Sequence, residues 1–197
     1  MRYLAILPVV VCACLFAGAC REQSRSEQPA PITMTDEALG HYCQMALGEH
    51  PGPKAQVHLE GLVAPLFFSQ VRDAIAYQRM PEQSRPIRAI YVSDMAQAPS
   101  WNEPGINNWA PADEVHYVVG SRTAGGMGAP ELVPFSDRGA AERFAEENGG
   151  SVRRLAEIPD ATVLAPVNFT LDGAEDAERE ALLAGQHPDA TEARVKP

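Results

Sequence analysis

The chain has 197 residues, is 45% hydrophobic and 21% charged, and carries a formal net charge of -10. Such a length corresponds to one domain or two small ones packed together, and the apolar fraction is sufficient to fill a core. The acidic balance excludes a phosphate-backbone binder and argues against an anionic lipid surface, because nothing supplies the cationic face either would need, so no nucleic-acid partner is expected.

Residues 1–19 place Arg2 ahead of an uncharged apolar run that ends in Ala17-Gly18-Ala19, directly before Cys20. This pattern reads as a secretory leader with a lipobox-like end, and Cys20 is the expected lipidation site. Pro8 and the short run speak against a permanent membrane helix. Residues 20–36 are polar and proline-containing and read as a lipidated, flexible tether in which Met34 is solvated. A folded domain is expected over 37–170, and the acidic, alanine-rich 171–197 reads as a disordered tail containing His187.

Within the domain, A-Q-V-H-L-E-G after Pro51-Gly52-Pro53 alternates like a strand. Residues 65–80 space Phe67, Phe68, Val71, Ala74 and Ile75 as a helix, with Pro65 in its first turn and Pro81 stopping it. Residues 88–95 form a strand rich in β-branched and aromatic side chains. A long loop carrying Trp101 and Trp109 follows. The second half has a strand at 114–120, a glycine loop at 125–130, a short strand or turn at 131–135, and a helix capped at Ser136-Asp137 that runs to about Asn148. S-V-R-R-L adds a strand, and 161–167 is a further candidate. L-V-A-P-L-F-F-S before the first helix echoes E-L-V-P-F-S before the second. The fold class is therefore α+β, with two related units at about 37–98 and 110–170 that pack together.

Export would remove Cys12 and Cys14 and lipidation would cap Cys20, leaving Cys43 as the mature domain's thiol. An exported protein normally pairs its cysteines or lacks them, so an unpaired one suggests a reactive thiol, an intermolecular bridge, a metal ligand or a small buried hydrophobe. In H-Y-C-Q-M, residues 41–45, an extended backbone would turn His41, Cys43 and Met45 to one face. Imidazole, thiolate and thioether form a soft donor set that suits Cu(I). Zinc fits less well, since its structural sites take four Cys or His ligands. Met95, Met127 and His50 are further candidate donors. Met95 and Met127 can equally be packing residues, as Met80 is expected to be, and His58 and His116 are expected to be structural. No nucleophilic triad, zinc-protease motif or phosphate loop is present in the sequence. Asp94 is the carboxylate that would serve a catalytic Cys43.

C-Q-M, H-P-G-P-K-A-Q-V, Y-V-S-D-M-A with Trp101, G-G-M-G-A-P-E-L-V-P-F and E-N-G-G-S-V together resemble the NosL family across about residues 37–167. The resemblance implies a fold of two β-β-α-β units shared with organomercurial lyase. It implies a non-enzymatic, membrane-anchored periplasmic Cu(I) chaperone, lipid-anchored at the outer membrane, that works with nitrous oxide reductase and its ABC-type membrane assembly complex. Cys43 and Met45 would be the C-x-M copper ligands and Met95 the best third donor. Met127 falls in the family's P-M-G-like loop, where Gly126 stands in place of proline, and His41 and His50 rank lower. A monomer or a copper-linked dimer is expected. The rival readings are a cysteine-dependent lyase of the organomercurial type and a non-metal adaptor lipoprotein.

Overall fold

The computed structural model describes residues 28–167. The leader, Cys20, the start of the tether and the 171–197 tail lie outside the described residues. The chain divides after Ala165, and of the second unit only residues 166 and 167 are described, without regular structure.

Before that division, six strands and two helices form two repeated units, with one short edge strand and one helical turn added. Strands β1 (Ala55–Leu59), β2 (Leu66–Phe68) and β3 (Ile87–Ser93) surround helix α1 (Val71–Arg79) in the chain order β-β-α-β, and β4 (Trp109–Pro111) extends the sheet. Then β5 (His116–Ala124), β6 (Pro130–Phe135), α2 (Arg138–Asn148) and β7 (Ser151–Arg154) repeat the order, before a short α3 (Asp160–Leu164). The sheets run β2-β1-β3-β4 and β6-β5-β7, antiparallel throughout, so in each unit the first strand lies between the second and third. The fold is mixed α+β, and the sequence echo corresponds to a repeated topology.

Strand β1 alternates in sequence yet is buried along its whole length. One side chain set, Ala55, Val57 and Leu59, enters the main core, where it meets Val71, Ile75, Val92, Tyr117, Leu132 and Val163 from both units. The polar set is covered by the chain segment that precedes the domain. Gln56 exchanges two hydrogen bonds with the Ile32 backbone at 2.9 and 3.0 Å, His58 Nε2 lies 2.9 Å from Gln56 Oε1, and Tyr91 donates to Pro29 O at 2.7 Å. Met34 is buried beside Ala38 and Leu47, and its N–H donates to Ile106 O at 2.8 Å. Residues 29–34 therefore lie on the sheet, and Met34 is a packing residue rather than a solvated part of the tether. A buried Gln56 without those backbone partners would incur a desolvation cost of about 1–3 kcal/mol.

Three elements differ from the sequence expectation. The proposed helix from 65 begins only at Val71, because Leu66–Phe68 pairs with Val57–Ala55 as a strand. A helix-like spacing of three consecutive apolar residues is equally consistent with a short strand, and pairing decides. Trp109–Pro111 is an edge strand on Tyr91–Ser93, not loop, and Pro111 is tolerated because an edge does not need its N–H. The last candidate strand, 161–167, is the helical turn α3, which buries Val163 alone in the core and offers its carbonyl to Arg72 Nε at 3.1 Å. The second helix starts as expected: Asp137 accepts from Ala140 N at 2.7 Å. It covers a second cluster of Val118, Val133, Phe135 and Ala141, completed by Met95, Trp101 and Phe144.

Candidate metal centre

Residues 40–45 are a closed turn, not the extended segment that would align alternate side chains. Gly40 N donates to Met45 O at 3.0 Å, Gln44 N donates to Gly40 O at 2.9 Å, and Gln44 has φ 56°. Gln44 stabilises this left-handed position by donating from Nε2 to His41 O at 2.7 Å. His41, Cys43 and Met45 consequently leave the backbone in different surroundings. The His41 ring enters an aromatic group, 5.5 Å from Phe68 and 5.7 Å from Tyr77, both edge-on. Met45 is 40% exposed. Cys43 is half-buried and free of any disulfide, with Sγ 3.7 Å from Ser69 Oγ. Its sulfur lies so close over Gly40 that a Cβ there would stand 2.4 Å from it, so any larger residue at this position would displace the thiol.

Ser69 links Cys43 to the other unit. The tip of the β5–β6 hairpin, residues 125–128, lies on the Ser69 backbone and on His50-Pro51: a Cβ on Gly126 would stand 3.0 Å from Ser69 O and 2.8 Å from both His50 Cβ and Pro51 O. His50 Nδ1 is 3.1 Å from Gly126 O. A carbonyl only accepts, so in the neutral ring Nδ1 carries the proton and Nε2 keeps its lone pair. That Nε2 is buried and has no hydrogen-bond partner. Met127, at the tip, is 36% exposed, and its N–H donates to Gln70 Oε1 at 3.0 Å. Ser69 thus touches the Cys43 thiol through its hydroxyl and the Gly126 tip through its carbonyl, and His50 lies against the same tip. Met95 stands elsewhere in the packing: its N–H donates to Pro134 O at 2.9 Å and its side chain lies on the Val118–Val133–Phe135 cluster.

Beneath the turn, Lys54 is 1% exposed, and its three ammonium protons meet His50 O, Pro51 O and Gly52 O at 2.7, 3.1 and 2.7 Å. Burial lowers it to about 8, against the opposing pull of Glu131 and Cys43. Glu131, 2% exposed, accepts from Val71 N and Arg72 N at 3.3 and 2.9 Å and so caps α1 from the neighbouring unit. Burial pushes it up to about 8, although these N–H bonds oppose the rise. Sequence reading missed Ser69, Gln70, Lys54 and Glu131. The clue for Glu131 was a lone charge inside an otherwise apolar strand pattern.

Asp94 is not paired with Cys43. Its Oδ1 accepts from Ala96 N and Ser136 N at 3.0 and 2.8 Å and its Oδ2 from Ser136 Oγ, tying the end of β3 to the end of β6. The acid–base partnership that a cysteine lyase would need is absent from these contacts. Among the described residues, no three His, Cys, Asp or Glu side chains gather as a metal-binding group.

The NosL family model matches residues 31–163, most of the folded domain. The chain belongs to the NosL family. It is 55% identical over 179 residues to the copper-binding lipoprotein NosL of Achromobacter cycloclastes, covering 90% of this chain and 92% of that protein. It is 29% identical to the copper-binding lipoprotein NosL of Stutzerimonas stutzeri over 159 residues, covering 80% and 81%. The crystal structure of the copper chaperone NosL from Shewanella denitrificans matches with a TM-score of 0.62 at 30% identity, covering 68% of this chain and 98% of that one. These NosL proteins are described as binding or carrying copper, not as enzymes.

Proposed function

We infer that the protein is a lipid-anchored envelope chaperone that binds copper as Cu(I) and passes it on for assembly of nitrous oxide reductase. The observation that carries this reading is a free, half-buried Cys43 whose sulfur lies beside Ser69, the residue on whose backbone the Met127 hairpin tip rests, with His50 and its bare Nε2 against the same tip. On Cu(I) binding the thiolate supplies the one negative charge that balances the ion, and thioethers add soft, uncharged donors that leave room for exchange. Met45, on the same turn as Cys43 and 40% exposed, is the first partner in this reading. Met127 and His50 come next in this reading, supported by the contacts of the hairpin tip with Ser69 and His50. Met95 ranks behind them because its side chain already packs in a hydrophobic cluster, and His41 because its ring packs among aromatics.

Lipid at Cys20 confines the carrier near its partners and raises its effective concentration there. In this reading the anchor lies in the outer membrane facing the periplasm, and the ABC-type assembly complex is the docking partner. Kinship with organomercurial lyase belongs to the same reading and concerns the two-unit backbone, not the chemistry.

Anaerobic titration of the mature chain with Cu(I), against a chromogenic Cu(I) chelator, tests it. One Cu(I) should bind tightly, Cys43→Ser should abolish tight uptake, and the loaded wild type should restore copper to metal-depleted nitrous oxide reductase. Undiminished affinity in the Cys43→Ser variant overturns the assignment. Failure of transfer alone overturns the named recipient.

A further inference from the structure

Gln70 occupies the capping position of α1 and makes no capping bond with its side chain. That task falls to the Glu131 carboxylate, which takes Val71 N and Arg72 N. The Gln70 amide is thereby released for other contacts, and it is only 3% exposed. Both of its ends are engaged. Nε2 donates to Asp73 Oδ2 at 3.1 Å and Oε1 accepts from Met127 N at 3.0 Å. An ionised carboxylate accepts and does not donate, so Asp73 claims the amino end and turns the carbonyl end toward Met127.

We propose that Gln70 is a positioning residue for Met127, holding the hairpin tip so that its thioether meets a copper ion on Cys43. Hairpin tips with small residues are ordinarily mobile. Here the tip is held by two polar bonds, Gln70 to Met127 N and His50 to Gly126 O. The first of these acts on the peptide plane from which the Met127 side chain departs. Without it, Met127 would have to be ordered at the moment of metal binding, which lowers affinity by the cost of that ordering. This role rests on the reading of Met127 as a copper donor.

The test is a double-mutant cycle in Cu(I) affinity, with Gln70→Leu, Met127→Ala and their combination in the full mature chain, and Cys43→Ser alongside. Removing an outer partner of a metal ligand typically weakens binding by about 10–100-fold. Gln70→Leu should therefore lose about tenfold in the wild-type background and lose nothing further in Met127→Ala. X-ray absorption of both single variants should show one sulfur scatterer fewer than the wild type. An equal loss in both backgrounds, or no loss in either, overturns the role of Gln70. Full affinity in Cys43→Ser would overturn the copper site itself, and this role with it. If Gln70→Leu does not fold, Asp73→Ala, which removes only the group that orients the amide, enters the same cycle with the same outcomes.

Discussion

Gly126 is where the two halves of the candidate site touch most closely, and replacing it with alanine tests that contact directly. The new methyl would stand 2.8 Å from His50 Cβ, 2.8 Å from Pro51 O and 3.0 Å from Ser69 O. Ordinary carbon contacts begin near 3.5 Å, so the hairpin tip must retreat by about 0.7 Å. His50 Nδ1 to Gly126 O and Met127 N to Gln70 Oε1, at 3.1 and 3.0 Å, would then pass beyond hydrogen-bond range. Two such bonds contribute about 2 kcal/mol together. Alanine also restricts the unfolded chain, which returns about 0.4–1 kcal/mol. The net loss is about 1–2 kcal/mol, within the range for overpacking. Urea unfolding of the wild type and Gly126→Ala reads it as a lower midpoint with an unchanged slope. Cu(I) affinity should fall with it, since Met127 moves with the tip. A midpoint shift worth less than about 0.5 kcal/mol, the scatter of neutral surface changes, with affinity unchanged, would refute the packing argument.

Two other perturbations test the frame around the site. Glu131 is raised to about 8 in the folded state, against about 4.3 for an unperturbed glutamate. Between those values the folded state holds a proton that the unfolded chain has released, so its contribution to stability is full below about pH 4.3 and is lost as pH rises through about 8, at up to about 1.4 kcal/mol per pH unit. Urea midpoints across pH 5–8 should show this slope, and Glu131→Gln should flatten it. The burial of Met34 predicts that Met34→Ala lowers stability by about 2–5 kcal/mol, as measured by thermal or urea unfolding. A solvated position in a tether would give a change near zero.

The repeated β-β-α-β order was legible because each unit repeats a short local string before its helix, and local strings are what a sequence displays. The edges were less so. Leu66–Phe68 has the spacing of a helix and the pairing of a strand, and only its neighbour Ala55–Val57 resolves which applies. Met34 carries no local mark of burial; its environment is made by Ala38 and Leu47, and its anchor by Ile106, more than seventy residues away. At the site, Cys43 stood out through cysteine counting and Met127 through its glycine flanks. Their contacts with His50, Ser69 and Gln70 were not readable, because each link joins segments 26 to 76 residues apart. The expected alignment of His41, Cys43 and Met45 failed for a local reason: the Gln44 turn breaks the two-residue period on which it depended.

The placement of Cys43 and Met127 on two units has a mechanical consequence. Cys43 is fixed by the turn that precedes the first unit, and Met127 by a hairpin of the second, so the separation between them depends on how the units meet. That meeting is governed by a few directional contacts rather than by core packing alone. Glu131 of β6 caps α1, and Asp94 at the end of β3 binds Ser136 at the end of β6. Apolar contact is non-directional and would tolerate a slide of one sheet against the other. A buried carboxyl group taking two successive N–H groups of a helix start would not, because a small displacement leaves polar groups desolvated without partners. Buried polar groups at the seam therefore set the register of the two halves. In the proposed copper reading, the spacing of Cys43 and the Met127 hairpin tip is therefore set by these seam contacts, and loosening them should weaken Cu(I) binding.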